Sequence, residues 1–192
     1  VDFDELQAMN DEVYAWIEVP GTVINYAVVQ SATDDLFYIN HAVDKSYFSG
    51  GSIFSQRYNT TTFQDSMTVL YGHNSRSQAM FAQLNNFADA SFFEQNQSIY
   101  IYTPEKVYEY QIFAAYPHSS DHLLLCNDFN DPEQFAAYFD SLADGVNCNY
   151  RRDLFPQFGD KVLTLSTCYR QNRTQRFLVQ GVLTQEYTVL KK

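Results

Sequence analysis

The stretch KVLTLSTCYRQNRTQRFLVQGVL, residues 161–183, holds two apolar runs on either side of a polar loop. In the first run Leu163 and Leu165 alternate with polar residues, which is the period-two pattern of a β-strand. That pattern places Cys168 on the face opposite the leucines, one residue past the last regular step. A core cysteine would share the leucine face, so the pattern leaves two interpretations open: a buried structural thiol and a reactive thiol at a strand end.

Similar strand-like runs recur along the rest of the chain. Seven strands are predicted in all, enough for a closed or nearly closed barrel, and TPEK at residues 103–106 predicts a hairpin turn between two of them. The predicted strands are the alternating residues Ile24, Tyr26 and Val28, then GSIFSQ (51–56), SMTVLYGH (66–73), QSIYIYT (97–103), KVYEYQIFAAY (106–116), KVLTLSTC (161–168) and RFLVQGVL (176–183).

Three segments have helical periodicity. An apolar stripe at steps of three and four, from Phe3 to Trp16, predicts an amphipathic N-terminal helix that ends before Pro20-Gly21. MFAQLNNF (80–87) predicts a second helix, and Asp131-Pro132-Glu133-Gln134 carries an N-cap, a first-turn proline and a capping-box glutamine for a third. We therefore expect an α+β protein, with a helical segment at 1–20 packed on a β-barrel domain at 21–192.

Composition limits the function classes. The net charge of −11 and only twelve Lys and Arg residues disfavour a nucleic-acid partner, which would require clustered positive charge. No apolar run is long enough to span a bilayer. The sequence HSSDH at 118–122 favours a solvated loop over a metal site, because further ligands are missing nearby. Three cysteines without a C-x-x-C pair leave at least one thiol free or intermolecular.

A reactive thiol needs a base and an oxyanion donor, and neither has to be near in sequence. His73 ends an alternating strand, and Gly72 before it permits a sharp exit from that strand. Arg176 begins another strand and alternates with Phe177, so it lies on the face away from the core. Taken singly, each has a structural alternative, a turn histidine and a solvated surface arginine.

Three of these segments in order, LYGHN (70–74), TLSTC (164–168) and RFLVQG (176–181), resemble the signature segments of sortases, the cysteine transpeptidases on the surface of Gram-positive bacteria. VYAWIEVPGTVINYAVVQ (13–30) is similar to the segment that enters the sortase barrel, and GGSIFSQRYN (50–59) to its early strands. The N-terminal helix and the helix near 131–144 resemble those of class B sortases.

This resemblance implies an eight-stranded barrel with His73, Cys168 and Arg176 as catalytic residues, and assigns Ser166, Thr167 and Asn74 to substrate binding. It implies no metal and no cofactor. The expected partners are the sorting-signal peptide of a surface protein and an amine from a peptidoglycan precursor or a pilin. It also implies a location on the outer face of the bacterial membrane, through an N-terminal anchor that this chain lacks.

Several alternatives stay open at this stage. Arg173, in the loop before Arg176, is the second choice for the catalytic arginine, and Arg170 is a third. Cys126 and Cys148 match no motif and are interpreted as structural, with or without a disulfide between them. A cysteine peptidase without acyl transfer, or a non-catalytic surface module, remains the alternative function. The sorting motif, the acceptor amine and the choice between anchoring and pilus assembly are not determined by the sequence.

Overall fold

The computed structural model describes residues 1–145 and 147–189 as a closed β-barrel with helices on its outside. Eight strands form the barrel in the order β5-β1-β2-β3-β4-β8-β9-β6, and β6 pairs back to β5 to close it. The two-residue β7 pairs on the side of β6. The strands are β1 (Val13–Glu18), β2 (Asn25–Val29), β3 (Ile53–Phe54), β4 (Met67–Tyr71), β5 (Ser98–Tyr102), β6 (Lys106–His118), β7 (Asn149–Tyr150), β8 (Val162–Cys168) and β9 (Arg176–Thr188).

Helical segments are short and lie outside the barrel. The α-helices are α1 (Phe3–Met9), α2 (Ala90–Gln95), α3 (Leu123–Cys126) and α4 (Pro132–Ser141), and 3₁₀ turns lie at Phe37–Ile39, Ala82–Ala88, Leu142–Asp144 and Arg152–Leu154. None of the helices in the described part of the chain is both long enough and apolar enough to cross a membrane.

The predicted N-terminal helix is wrong beyond Met9. The chain turns at Asn10, and the rest of the predicted stripe is β1, which pairs with both β2 and β5. Val13, Ala15 and Ile17 are fully buried there, whereas α1 has no buried residue. The apolar residues in this stretch fit both the helical period and the period-two pattern of a strand. Pairing within the closed barrel makes residues 13–18 a strand. Residues 13–18 therefore belong to the barrel and supply the eighth strand that the run count missed.

Inward-facing side chains from the strands fill the barrel interior. Leu163 and Leu165 of β8 and Phe177 and Val179 of β9 are fully buried in this cluster, as their alternation predicts. Burial of such side chains contributes about 2 kcal/mol each relative to exposure. The interior is a packed core that holds the strand ends in fixed positions.

A second core covers the outer face of β4, β8 and β9, beneath α4. The predicted cap of α4 is confirmed: Asp131 Oδ1 accepts a hydrogen bond from Gln134 N, and Phe135 and Phe139 of this helix are buried. The Gln134 side chain, however, accepts from Asp128 N rather than closing a capping box. Because α4 and its core cover this side of the sheet, the polar face of β8 is buried as well, and Thr164 has no exposed surface.

Two smaller predictions have different outcomes. The helix predicted at 80–87 is a 3₁₀ turn, Ala82–Ala88, followed by α2, with Asp89 as the N-cap of α2. The hairpin at 103–106 is confirmed, since Thr103 N donates to Lys106 O at 2.8 Å. The 3₁₀ turn contacts the end of β8, since Asn85 Nδ2 donates to Cys168 O at 3.4 Å.

Candidate active site

Strand pairing brings the ends of β4, β8 and β9 to one end of the barrel. β4 and β8 run parallel with Tyr71 opposite Ser166, so His73 and Cys168 leave the sheet side by side, each two residues past that pair. β8 and β9 are antiparallel with Cys168 opposite Arg176. Cys168 therefore lies between His73 and Arg176, although eight residues separate it from the latter in sequence.

Gly72 makes the exit toward His73 sterically feasible. A Cβ at this position would lie 2.5 Å from Ile53 Cδ1 and 2.7 Å from Phe81 Cγ, closer than packed atoms approach. Gly72 N also donates to Ser166 O at 3.2 Å, which continues the β4–β8 ladder by one step. A larger residue at this position would require the side chains of Ile53 and Phe81 or the backbone before His73 to shift.

Arg176 is the arginine whose side chain reaches the thiol. Its Nη1 lies 3.6 Å from Cys168 Sγ, within the range of a weak hydrogen bond to sulfur. Arg170 and Arg173 make no such contact with Cys168. The choice of Arg176 over its two neighbours thus agrees with the geometry, and the physical reason is the strand register.

The backbone of Cys168 is held by two amides. Asn74 Nδ2 donates to Cys168 O at 2.9 Å, and the buried Asn85 Nδ2 donates to the same oxygen at 3.4 Å. Asn85 Oδ1 also accepts from Arg170 N at 2.7 Å, which fixes the turn after the cysteine. Asn74, predicted as a substrate-binding residue, therefore contacts the backbone of Cys168, and so does Asn85, which the sequence did not single out.

His73 is oriented by a backbone carbonyl from a distant segment. Its Nε2 lies 2.5 Å from Ile39 O, in the 3₁₀ turn Phe37–Ile39. A carbonyl oxygen can only accept a hydrogen bond, so Nε2 carries a proton in this arrangement. Nδ1 is then the ring nitrogen that can exchange a proton with a reacting group. No hydrogen bond joins His73 to Cys168 among the described groups, so the two side chains are neighbours rather than a bonded pair.

A pocket of about 270 Å³, here called the front pocket, opens beside the thiol. Apolar side chains from five segments, including Leu36, Ile39 and Leu178, line it together with His73, Cys168 and Arg176. Ser166 and Thr167, predicted to bind substrate, line the same pocket. The hydroxyl of Thr167 itself is buried and has no hydrogen-bond partner among the described residues.

Two histidines predicted to lie in a solvated loop are instead on the wall of the front pocket. His118 is opposite Arg176 in the β6–β9 register, and His122 Nε2 lies 2.6 Å from Gln56 Oε1. His122 Nδ1 is buried and has no partner. The signal for this placement was that HSSDH follows a strand ending next to β9. No group of three or more metal-ligating side chains occurs within 1–145 and 147–189.

The other two cysteines are free thiols as well. Cys126 is exposed in α3, and Cys148 is partly buried. Burial raises the pKa of the Cys148 thiol to about 11, which makes it a poor nucleophile at neutral pH. No disulfide joins Cys126 to Cys148 in this structure.

Comparison with known proteins identifies the family. The family model for the sortase domain matches residues 17–184. Sortase B of Listeria monocytogenes is 29% identical over 181 residues, covering 93% of this chain and 72% of that protein. The structure of Clostridium perfringens sortase B aligns with a TM-score of 0.85 at 30% identity, over 96% of this chain and 100% of that one.

A class B sortase of Streptococcus pyogenes involved in pilus biogenesis aligns with a TM-score of 0.82 at 31% identity, covering 96% of this chain and 98% of that one. The eight-stranded barrel and the resemblance to class B sortases, both expected from the sequence, are thereby confirmed. Because the family model covers most of the chain and the barrel matches those of solved sortases, the chain belongs to the sortase family of cysteine transpeptidases and is most similar to class B sortases.

Proposed function

We propose that this sortase cleaves the sorting signal of a surface protein at the Cys168 thiol and transfers the new acyl group to an amine of the cell wall or of a pilin. The observation that carries the proposal is the position of Cys168, with a guanidinium 3.6 Å from its sulfur and an imidazole on the neighbouring strand end. The apolar front pocket beside it has room for an extended peptide segment.

In the acylation step the Cys168 thiolate attacks a backbone carbonyl of the sorting peptide, and a C–S bond forms. Arg176, already directed at the sulfur, donates hydrogen bonds to the oxyanion that develops or to a neighbouring carbonyl. The C–N bond then breaks, and the imidazolium of His73 gives its proton to the leaving amine. The product is a thioester on Cys168.

In the transfer step an amine attacks the thioester carbonyl, the C–S bond breaks and the thiolate leaves. The imidazole of His73 takes the proton from the attacking nitrogen. Water gives the hydrolysis product by the same route. Ser166 and Thr167 on the pocket wall are proposed substrate contacts.

The proposed location is the outer face of a Gram-positive cell membrane, where both a surface protein and a cell-wall or pilin amine are within reach. The S. pyogenes relative is described as acting in pilus biogenesis, and a pilin amine is accordingly one of the two proposed acceptors here. The proposed membrane attachment is an N-terminal anchor.

Trapping the thioester tests the proposal. The native protein is incubated with a mixed library of sorting-type peptides, and intact-protein mass spectrometry is followed by mapping of the modified residue. We expect an acyl adduct on Cys168, released by hydroxylamine, and none on Cys168→Ala. The melting temperature of Cys168→Ala should stay close to native, because the side chain borders a pocket and its truncation opens little core.

The same assay separates the alternative functions. An adduct that water releases at the same rate with and without added amine indicates a cysteine peptidase. Absence of any adduct, or an adduct confined to Cys126, contradicts the proposed nucleophile and favours a non-catalytic surface module. A collapse of the melting temperature in Cys168→Ala would show instead that the residue is a core filler.

A further inference from the structure

A second cleft also borders Cys168. It is lined by Arg76, Arg170 and Arg173 together with His73, Cys168 and three uncharged polar residues, and we call it the arginine cleft. Only His73 and Cys168 line both cavities. The thiol is thus accessible from an apolar side and from a basic side.

The charge of the arginine cleft is not neutralised by the protein. No carboxylate lines it, and neither Arg76 nor Arg173 forms a side-chain hydrogen bond or ion pair with a described residue. The Arg170 guanidinium donates only to uncharged groups, Gln78 Oε1 at 3.1 Å and Ala82 O at 3.2 Å. Three guanidinium groups are therefore available to an anion.

The distribution of ion pairs over the molecule makes this cleft exceptional. Ten of the twelve Lys and Arg residues lie in the described part of the chain, and five of those ten pair with a carboxylate. The five without a carboxylate partner are Arg76, Lys161, Arg170, Arg173 and Arg176. Four of these border Cys168, in a protein whose net charge is −11. Positive potential is concentrated at one place on an acidic molecule.

We propose that the arginine cleft binds the acceptor of the transfer step, and that this acceptor is an amine-bearing molecule that also carries a carboxylate or phosphate group. The inference rests on the proposed function, because it concerns the second half of that reaction. The front pocket holds the acyl portion, and the thioester on Cys168 also borders the arginine cleft, because Cys168 lines both cavities. Guanidinium groups suit carboxylate and phosphate alike, because they donate paired hydrogen bonds to two oxygens.

Binding the anion in the cleft brings the amine to the thioester carbonyl from the side of His73. The C–N bond forms as the C–S bond breaks, the thiolate of Cys168 is regenerated, and the amine proton passes to the imidazole. The anion itself takes no part in bond making. It raises the local concentration of the acceptor and fixes its approach.

The test compares three acceptor peptides that differ only in their third residue, which is neutral, carboxylate or phosphate. The probes are Gly-Lys-Gln amide, Gly-Lys-Glu amide and Gly-Lys-phosphoserine amide, each of which offers an α-amine and an ε-amine. Acyl-enzyme formed from a sorting-type peptide partitions between transfer and hydrolysis, and the ratio of the two products is measured for each probe. Because both products arise from one thioester, the ratio is independent of the acylation rate.

We expect the anionic probes to raise the transfer ratio about tenfold over the neutral one, as several partly exposed ion pairs would. The advantage should decline as salt rises, since exposed charges are screened. Preference for the carboxylate probe alone indicates a peptide acceptor, and preference for the phosphate probe alone a phosphorylated carrier. Either pattern supports the proposal.

Variants assign the preference to the cleft. In Arg76→Gln/Arg173→Gln the ratio for anionic over neutral probes should fall to about one. The matched control, Lys161→Gln/Arg152→Gln, removes the same charge away from the cleft and should keep the preference. Equal transfer to all three probes by the native protein, or a preference that survives the cleft variant, overturns this inference alone. Formation of acyl-enzyme with no transfer to any probe overturns the proposed transferase activity as well.

Discussion

Arg176 and Arg173 are three residues apart in sequence but differ in what they contact. Arg176 is held opposite Cys168 by the β8–β9 ladder, and its guanidinium reaches the sulfur. Arg173 lies in the exposed loop between these strands and borders only the arginine cleft. The structure therefore separates one arginine at the Cys168 thiol from others that border the arginine cleft.

Replacement of Arg176 by lysine tests this separation at the level of one residue. A guanidinium is a planar group with paired donors, whereas an ammonium is a compact charge on a flexible chain. We expect Arg176→Lys to lower kcat/KM for thioester formation about 100-fold, the loss typical of removing an oxyanion donor. Arg152→Lys, far from the site, is the control with no expected loss. If Arg173→Lys proves to be the variant with impaired acylation, the assignment of Arg176 is wrong.

A chain of buried hydrogen bonds connects α4 to the strands that carry the site. Gln180 of β9 donates to Thr164 Oγ1 at 2.9 Å and accepts from Tyr116 OH at 3.0 Å, while Tyr116 also meets Tyr138 of α4. Gln180 and Thr164 have no exposed surface. Every hydroxyl in this hydrogen-bond network has a partner. The polar face of the sheet is therefore stable beneath the apolar face of α4.

Gln180→Leu should destabilise the protein more than its change in volume suggests. The substitution leaves the Tyr116 hydroxyl without its acceptor in a dry environment, at a cost of about 2 kcal/mol. In a domain of this size that corresponds to a fall in melting temperature of roughly 4 to 8 °C. Tyr138→Phe removes one donor at the end of the chain and should cost about half as much. A neutral or stabilising Gln180→Leu would show that the network is dispensable.

Strand predictions succeeded where period-two alternation had no rival, as in β8 and β9. β1 was missed because Val13 and Trp16 also fit the helical stripe that begins in α1, and local pattern cannot decide between them. Pairing with β2 and β5 decides it, and that information lies in distant residues. The two-residue β7 is too short to leave a periodic signal.

Across the whole molecule, the residues predicted from strand ends lie together, while those that act through backbone or loop contacts were not predictable. Cys168 and Arg176 meet because their strands are antiparallel neighbours. The Ile39 carbonyl that contacts His73 carries no side-chain signature, and Asn85 resembles any polar helix residue. Such contacts depend on the closed barrel, which sequence patterns describe only one strand at a time.

The segment that contacts His73 is itself attached to the barrel by a carboxylate. Glu12, just before β1, accepts hydrogen bonds from Tyr38 OH and from Ala32 N and pairs with Lys45 at 3.3 Å. Tyr38 belongs to the same 3₁₀ turn as Ile39. Burial alone would raise the pKa of Glu12, but these partners together hold it below its ordinary value.

Because the folded-state pKa of Glu12 is lowered, its contribution to stability is complete above the unfolded value of about 4.3 and is lost as pH falls below it. We therefore expect Glu12→Gln to reduce the free energy of unfolding by about 2 kcal/mol at pH 7, the contribution of hydrogen bonds to a charged group. The gap between native and variant should narrow steadily from about pH 4 downward, as native Glu12 becomes protonated. Thermal unfolding of both proteins from pH 7 to pH 3 measures this gap.

Glu105→Gln, which removes an exposed carboxylate with no side-chain partner in the described residues, is the control and should leave stability at pH 7 within about 0.5 kcal/mol of native. A gap for Glu12→Gln that is constant over the whole range would mean that the charge of Glu12 is not what fixes the His73 segment.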